Sequence, residues 1–282
     1  MAEEKDVNGV LLYYKYANVP DLNALHNFYN SNCQSLRLLG RVRLAPHGVN
    51  VTVGGKLSCL EEHIAAVKLI NLFDGTDFKL ASCQDFQSND NIVKECGFNS
   101  LSIRLVKELV TFSSCPLVKS PLLSNAGKHL SAAEFNTILQ SAGSVENDVP
   151  TNRSRVLLLD ARNVYETRIG KFQTPNVETL DPKIRQYSDL STWIDCHSER
   201  LQGTKVLMYC TGGIRCEMAS AYIRSKGAGF ENVYQLFGGI QRYMEQFPDG
   251  GFFKGKNFVF DHRKQLLLNF ADFPQIVEEH RD

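Results

Sequence analysis

The sequence lacks an excess of either charge: 31 Lys and Arg residues balance 31 Asp and Glu residues. That balance excludes a global field drawing nucleic acid to the whole chain, so any such site must be a local basic patch. No stretch approaches the roughly 18 apolar residues that a membrane helix needs, so no membrane partner is expected. The opening MAEEKDVNG is acidic and polar, with no apolar segment of the secretory kind, and no signal peptide is expected. No Cys-x-x-Cys pair occurs and no Cys/His cluster has zinc-like spacing, so neither a metal nor another cofactor is expected. The eight cysteines (33, 59, 83, 96, 115, 196, 210 and 216) are scattered. Reduced thiols and a cytoplasmic setting are the expectation, with most of the eight acting as small buried apolar residues.

What is present suits a two-domain α/β protein. The 282 residues are too many for one small domain, and 43% apolar with 22% charged residues is ordinary for a globular chain. Residues 8–112 alternate strand-like and helix-like stretches. Val10 to Tyr16 is β-branched and aromatic, and Pro20-Asp21 opens a helical run through Asn32. Arg41 to Ala45 and Val49 to Val53 flank a hairpin turn at Pro46-His47-Gly48, and Lys56 to Phe73 has the periodicity of an amphipathic helix. With strands at Phe78 to Ala81 and Leu101 to Val106, this predicts a ferredoxin-like βαββαβ domain. Residues 113–150, rich in Pro and Gly, read as a linker leading into a short helix whose capping box is Ser131-Ala132-Ala133-Glu134. Residues 151–250 carry the apolar strands RVLLLD and VLMY, alternating with helices. That pattern predicts a doubly wound parallel sheet, with a tail at 251–282.

One loop carries chemistry. The strand Val206 to Tyr209 runs directly into Cys210-Thr211-Gly212-Gly213-Ile214-Arg215, and a helix is expected from Cys216. Ligands gather at the carboxyl ends of such strands. The two glycines permit a tight ring whose N–H groups point inward, and the following helix start favours negative charge. With Arg215 beside it, Cys210 is expected to be a low-pKa thiolate suited to carry sulfur as a persulfide. Four residues separate Cys210 from Arg215, the shorter ring that resembles rhodanese sulfurtransferases; cysteine phosphatases use one residue more. Asp160-Ala161-Arg162 followed by Glu166 resembles the Asp-x-Arg…Glu signature of the same family. Asp160 is expected to accept loop N–H groups, and Arg162 to pair with Glu166 as a brace.

Several stretches together are more specific. Gly40 to Gly55, Arg104 to Thr111, Asp160 to Glu166, Cys210 to Glu217 (CTGGIRCE) and Gly255 to Asp261 resemble, in order, the tRNA uridine 5-hydroxylase family and its plant rhodanese-domain relatives. The resemblance covers about residues 10 to 262 of the chain. It implies a ferredoxin-like domain followed by a rhodanese domain, oxidation of C5 of the wobble uridine, and Cys210 as the essential residue. At position 257, where members commonly have cysteine, this chain has Asn257. The ferredoxin-like fold also hosts acylphosphatases, but their glycine-rich anion loop is absent.

Two further expectations accompany these. Cys216 either attacks an oxidised Cys210 or simply faces the core. Arg41, Arg43 and Lys107, with Lys15, Lys56 and Arg104, form either a phosphate-binding face or ordinary surface charge, and Tyr13, Tyr14 and Tyr16 either stack bases or fill the core. The expected function is a sulfurtransferase-like enzyme acting on a thiosulfate-like donor or on tRNA. The alternative is a non-catalytic rhodanese module that binds an anion or a partner.

Overall fold

The computed structural model describes residues 7–82, 98–115, 117–143, 155–175, 177–258 and 265–266. It divides into two compact units, one reaching Thr111 and the other beginning at Phe112.

The first unit contains β1 (Asn8–Tyr16), α1 (Leu22–Ser35), β2 (Leu39–Ala45), β3 (Gly48–Lys56), α2 (Leu57–Lys68), β4 (Lys79–Ser82) and β5 (Leu101–Leu105). The strands form one sheet in the order β4-β1-β3-β2-β5. The first four give the predicted βαββαβ unit, all antiparallel, and β5 adds a fifth strand parallel to β2. Asp21 starts α1 by accepting the Ala24 N–H at 2.8 Å. The expected long helix through Phe73 ends at Lys68, and the chain turns so that Phe73 enters the core at 2% exposure.

Strand alternation decides the two faces. Leu11, Tyr13, Val42, Leu44, Val49, Val51 and Val53 point to the helices and meet Leu25, Tyr29, Leu60 and Val67. Tyr13 is thus a core residue, with its hydroxyl 2.9 Å from both Tyr29 Oη and His63 Nε2. Burial pushes the His63 imidazole down to about 4, so it is neutral at physiological pH.

The second unit holds a parallel sheet in the order β6-β11-β10-β7-β9. Its strands are β6 (Lys128–Leu130), β7 (Val156–Asp160), β9 (Glu178–Leu180), β10 (Lys205–Tyr209) and β11 (Val233–Leu236); β8 (Gly170–Phe172) pairs separately with β12 (Phe253–Gly255). Two of these strands fall outside the predicted bounds of the second domain. Residues 128–130, inside the predicted linker, form an edge strand beside β11, and residues 253–255, inside the predicted tail, pair with β8. The helices are α3 (Ala132–Gly143), α4 (Val164–Ile169), α5 (Leu190–Cys196), α6 (Ser198–Leu201), α7 (Ile214–Arg224) and α8 (Gly239–Gln246). The predicted box starts α3: Ser131 and Glu134 each accept the other's backbone N–H, at 3.2 and 2.8 Å. Phe135, Leu139, Ile240 and Tyr243 from α3 and α8 cover one sheet face, over Leu158, Leu207 and Tyr209. On the other face, Gln235 of β11 reaches Glu217 of α7 at 3.0 Å. Helices on both faces explain why VLLLD and VLMY are nearly continuous apolar runs. Among the described residues, no helix is long and apolar enough to cross a membrane.

Candidate active site

Three strand ends converge on Cys210. β10 delivers the cysteine itself, β7 ends on Asp160, and β11 runs into Phe237-Gly238-Gly239. Cys210 is fully buried. The ring behind it closes through Gly213, whose φ of +104° suits glycine, and whose N–H points at Cys210 Sγ at 3.1 Å. The helix starts at Ile214, two residues earlier than the sequence suggested, so Arg215 and Cys216 both lie in its first turn.

The loop's own carbonyls must face outward if its N–H groups face in. The start of α8 provides their partners: Ile240 N–H donates to Cys210 O at 3.0 Å and Gln241 N–H to Thr211 O at 3.2 Å. This contact requires glycine at 239. Its φ is +68°, and a Cβ there would stand 2.5 Å from Cys210 O and 2.6 Å from Thr211 O. Sequence reading did not find this clamp, although a glycine pair directly after a buried strand was the available signal.

The electrostatics favour a thiolate. Burial alone would raise the Cys210 thiol, but it is held down at about 5. The hydrogen bond from the Cys216 thiol, the charge of Arg215 and the N–H groups of Gly213 and Cys216 together outweigh desolvation. Cys216 is also fully buried, and its own thiol is pushed well up by burial and by the adjacent sulfur. It is a proton-bearing donor to Cys210 and at the same time a core residue of α7.

Arg215 does not reach out to a ligand as a simple cation. Its guanidinium forks onto Glu166 with two contacts of 2.7 Å, and it also donates to Thr211 Oγ1 at 3.0 Å. Thr211 Oγ1 donates in turn to Glu166 Oε1 at 2.9 Å. The predicted pairing of Arg162 with Glu166 is therefore corrected. Arg162, wholly buried, forks onto Asp160 at 2.9 and 2.7 Å, donates to Gly170 O at 2.6 Å and lies over the Tyr209 ring. Asp160 also accepts the Arg162 N–H at 3.0 Å and the Thr167 hydroxyl at 3.1 Å. The exchange has a local cause. Glu166 sits at the third position of α4 and closes a capping box with Asn163, which aims its carboxylate at the loop rather than along the strand.

The remaining residues of interest lie apart from this cluster. Arg41 and Arg43 are exposed on β2, Arg104 is exposed on β5, and Lys107 is exposed just beyond it; all belong to the first unit. Lys15 donates to Asp74 O on the same unit. Among the other cysteines Cys33 is buried, but Cys115 and Cys196 are exposed, contrary to the expectation of burial. Cys83 and Cys96 lie outside the described residues. Among the described residues no group of three or more His, Cys, Asp or Glu side chains forms a metal site.

Comparison with known proteins bears on both units. Residues 9–109 match the family model described as the UPF0176 acylphosphatase like domain. Over 262 residues, 93% of the chain, it is 71% identical to Rhodanese-like domain-containing protein 6 of Arabidopsis thaliana, of which it spans 44%. It is 34% identical over 275 residues to a tRNA uridine(34) hydroxylase of Aster yellows witches'-broom phytoplasma, covering 97% of this chain and 79% of that one. A tRNA uridine(34) hydroxylase of Mesorhizobium japonicum is 31% identical over 264 residues, covering 93% and 75%. The cradle around Cys210, the acylphosphatase-like unit before it and these alignments agree: the chain belongs to the tRNA uridine(34) hydroxylase family, together with its plant rhodanese-domain relative.

Proposed function

We propose that this chain is an enzyme that hydroxylates the wobble uridine of tRNA, a two-electron oxidation whose oxygen atom comes from an external oxidant such as dioxygen or a peroxide, and that Cys210 is its reacting sulfur. The observation that carries the reading is the Cys210 thiol held at about 5 inside a closed ring of N–H donors. A sulfur of that kind is ionised at neutral pH and needs no separate general base. The family membership supplies the substrate class, since relatives covered over most of their length are named for tRNA uridine(34).

We further propose that Cys210 passes through a persulfide. The thiolate attacks the outer sulfur of a thiosulfate-like donor, the S–S bond breaks, and sulfite leaves with the bonding pair. The loop N–H groups suit the large, soft anion that results. The six free thiols among the described residues support a reducing compartment, and we place the protein in the cytoplasm.

The test combines two readouts. Nucleoside mass spectrometry of tRNA from cells carrying the gene should show 5-hydroxyuridine derivatives that disappear with Cys210→Ser. Intact mass of the purified protein after thiosulfate should rise by one sulfur atom, and the same substitution should abolish the gain. Hydroxylation that survives Cys210→Ser rejects the site. A mass that does not change rejects the persulfide while leaving the hydroxylase reading in place.

A further inference from the structure

We propose that Cys216 is the resolving thiol of this site: when a peroxide leaves Cys210 as a sulfenic acid, Cys216 condenses with it and closes a disulfide that a small thiol reopens. The inference rests on the reading of Cys210 as the reacting sulfur. That reading brings an oxidant to a buried thiolate, and the thiolate is the form of cysteine that peroxides attack. A sulfenic acid with no second thiol in reach is oxidised further to a sulfinic acid, which ordinary thiol reductants do not reverse.

The fold brings the second thiol into contact with the first. Cys216 lies beyond the whole Cys210–Arg215 ring in sequence, but the ring curls back on itself. The Cys216 N–H donates to Gly213 O at 3.0 Å, the Gly213 N–H points at Cys210 Sγ at 3.1 Å, and the Cys216 S–H donates to the Cys210 sulfur. A disulfide needs its sulfurs about 2.05 Å apart and its Cβ atoms about 3.5–4.5 Å apart, so sulfurs already in contact have a short approach left. Gly212 gives the ring room for it, since a carbon added there would meet nothing within 4 Å. The other described cysteines are placed elsewhere. Cys33 and Cys59 belong to the first unit, and Cys115 and Cys196 are exposed, whereas Cys210 and Cys216 are both fully buried.

The charges around the pair time the step. Burial, the hydrogen bond to Cys210 and the negative charge on Cys210 together hold the Cys216 thiol protonated. Oxidation of Cys210 removes that charge, while the Arg215 cation, which favours a Cys216 thiolate, stays in place. Cys216 is thus kept as a thiol while Cys210 is reduced and is freed to react once Cys210 is oxidised. In the first step Cys210 Sγ attacks one peroxide oxygen, an S–O bond forms, the O–O bond breaks and hydroxide leaves. Cys216 Sγ then attacks the oxidised sulfur, the S–O bond breaks, and water leaves with the Cys216 proton. The two sulfurs lose two electrons, and the peroxide is reduced to water and hydroxide.

The experiment treats the reduced whole chain with dilute hydrogen peroxide and follows intact mass, with peptide mapping of the products. Wild type should lose two hydrogens, with the bridge mapped between Cys210 and Cys216. Dithiothreitol should restore both the mass and the alkylation of Cys210. Cys216→Ser should form no bridge and should instead gain two oxygens on Cys210 that dithiothreitol does not remove. Cys216→Ala serves the same purpose if the buried serine impairs folding, which thermal melting reports. Cys196→Ser, at an exposed cysteine, should behave as wild type. Two oxygens appearing on Cys210 of wild type as fast as in Cys216→Ser overturn the proposal, as does a bridge from Cys210 to any other cysteine. In both of those outcomes Cys210 has reacted, so the reading of it as the reacting sulfur stands. A Cys210 that neither takes up oxygen, nor bridges, nor alkylates sinks that reading and this one together.

Discussion

Arg215 and Glu166 form a buried two-pronged ion pair, 2.7 Å on each arm, with the Thr211 hydroxyl wedged between them. Removing one partner of such a pair leaves the other charge stranded, at a cost of about 3–5 kcal/mol. Glu166→Ala should therefore lower the urea midpoint of unfolding steeply, whereas a distant surface substitution such as Glu62→Ala should barely move it. Burial would raise the Glu166 carboxyl, but Arg215 holds it below its ordinary value. Its contribution to stability is then complete above the unfolded value of about 4.3 and is lost as pH falls through the lower folded value. Acid unfolding followed by circular dichroism should show this loss, and Glu166→Ala should remove it.

The Cys210 thiolate makes the second expectation. Alkylation by iodoacetamide should level off above about pH 6 and fall roughly tenfold per unit below about 5, the value the loop imposes. Because the folded value lies far beneath the free thiol's roughly 8.5, ionisation of Cys210 adds stability fully above about pH 8.5. That addition shrinks as pH falls and vanishes below about 5. Cys216→Ala withdraws the side-chain hydrogen bond, so the alkylation profile should move to higher pH. An unmoved profile would show that Cys216 only fills space.

Gly239→Ala tests the clamp on the loop. A left-handed alanine costs about 1–2 kcal/mol before any clash, and here the added carbon meets two loop carbonyls at 2.5 and 2.6 Å. The loop must shift, so the variant should lose stability and the Cys210 alkylation profile should drift toward that of a free thiol. Gly203→Ala is the control: its φ is +71°, yet nothing lies within 4 Å of the added carbon. It should show the backbone cost without the change in reactivity.

Asp160→Asn addresses the second buried pair. Arg162 is wholly buried, so weakening its fork onto Asp160 should destabilise the protein by up to about 3–5 kcal/mol. Both residues sit one strand away from Cys210, and the alkylation pKa should change little. A large change in reactivity with intact stability would overturn this structural assignment.

These pairs show what a linear reading can and cannot reach. The Cys210 to Arg215 ring was legible because strand, glycines, arginine and helix are contiguous. The βαββαβ order was legible from helical period, β-branched and aromatic runs and the Pro46-His47-Gly48 turn, all of which lie within short stretches of sequence. The partners of Arg162 and Glu166 were not, because a carboxylate's direction depends on which N-cap it closes, and Asn163 decides that from three residues away. β6 escaped for another reason. Three residues, only one of them buried, carry no measurable alternation, and the strand exists because β11 offers an edge. Tyr13 and Tyr14 differ only in strand parity, which fixes one in the core and leaves the other outside.

That short β6 has a practical bearing on how the chain can be divided. A fragment cut at residue 151, where the apolar strands begin, would discard β6 and leave one edge of Tyr234–Leu236 without its neighbouring strand. Exposed strand borders of this kind recruit other chains. Such a fragment should precipitate or self-associate on purification, while one beginning at 112 should remain monodisperse by light scattering.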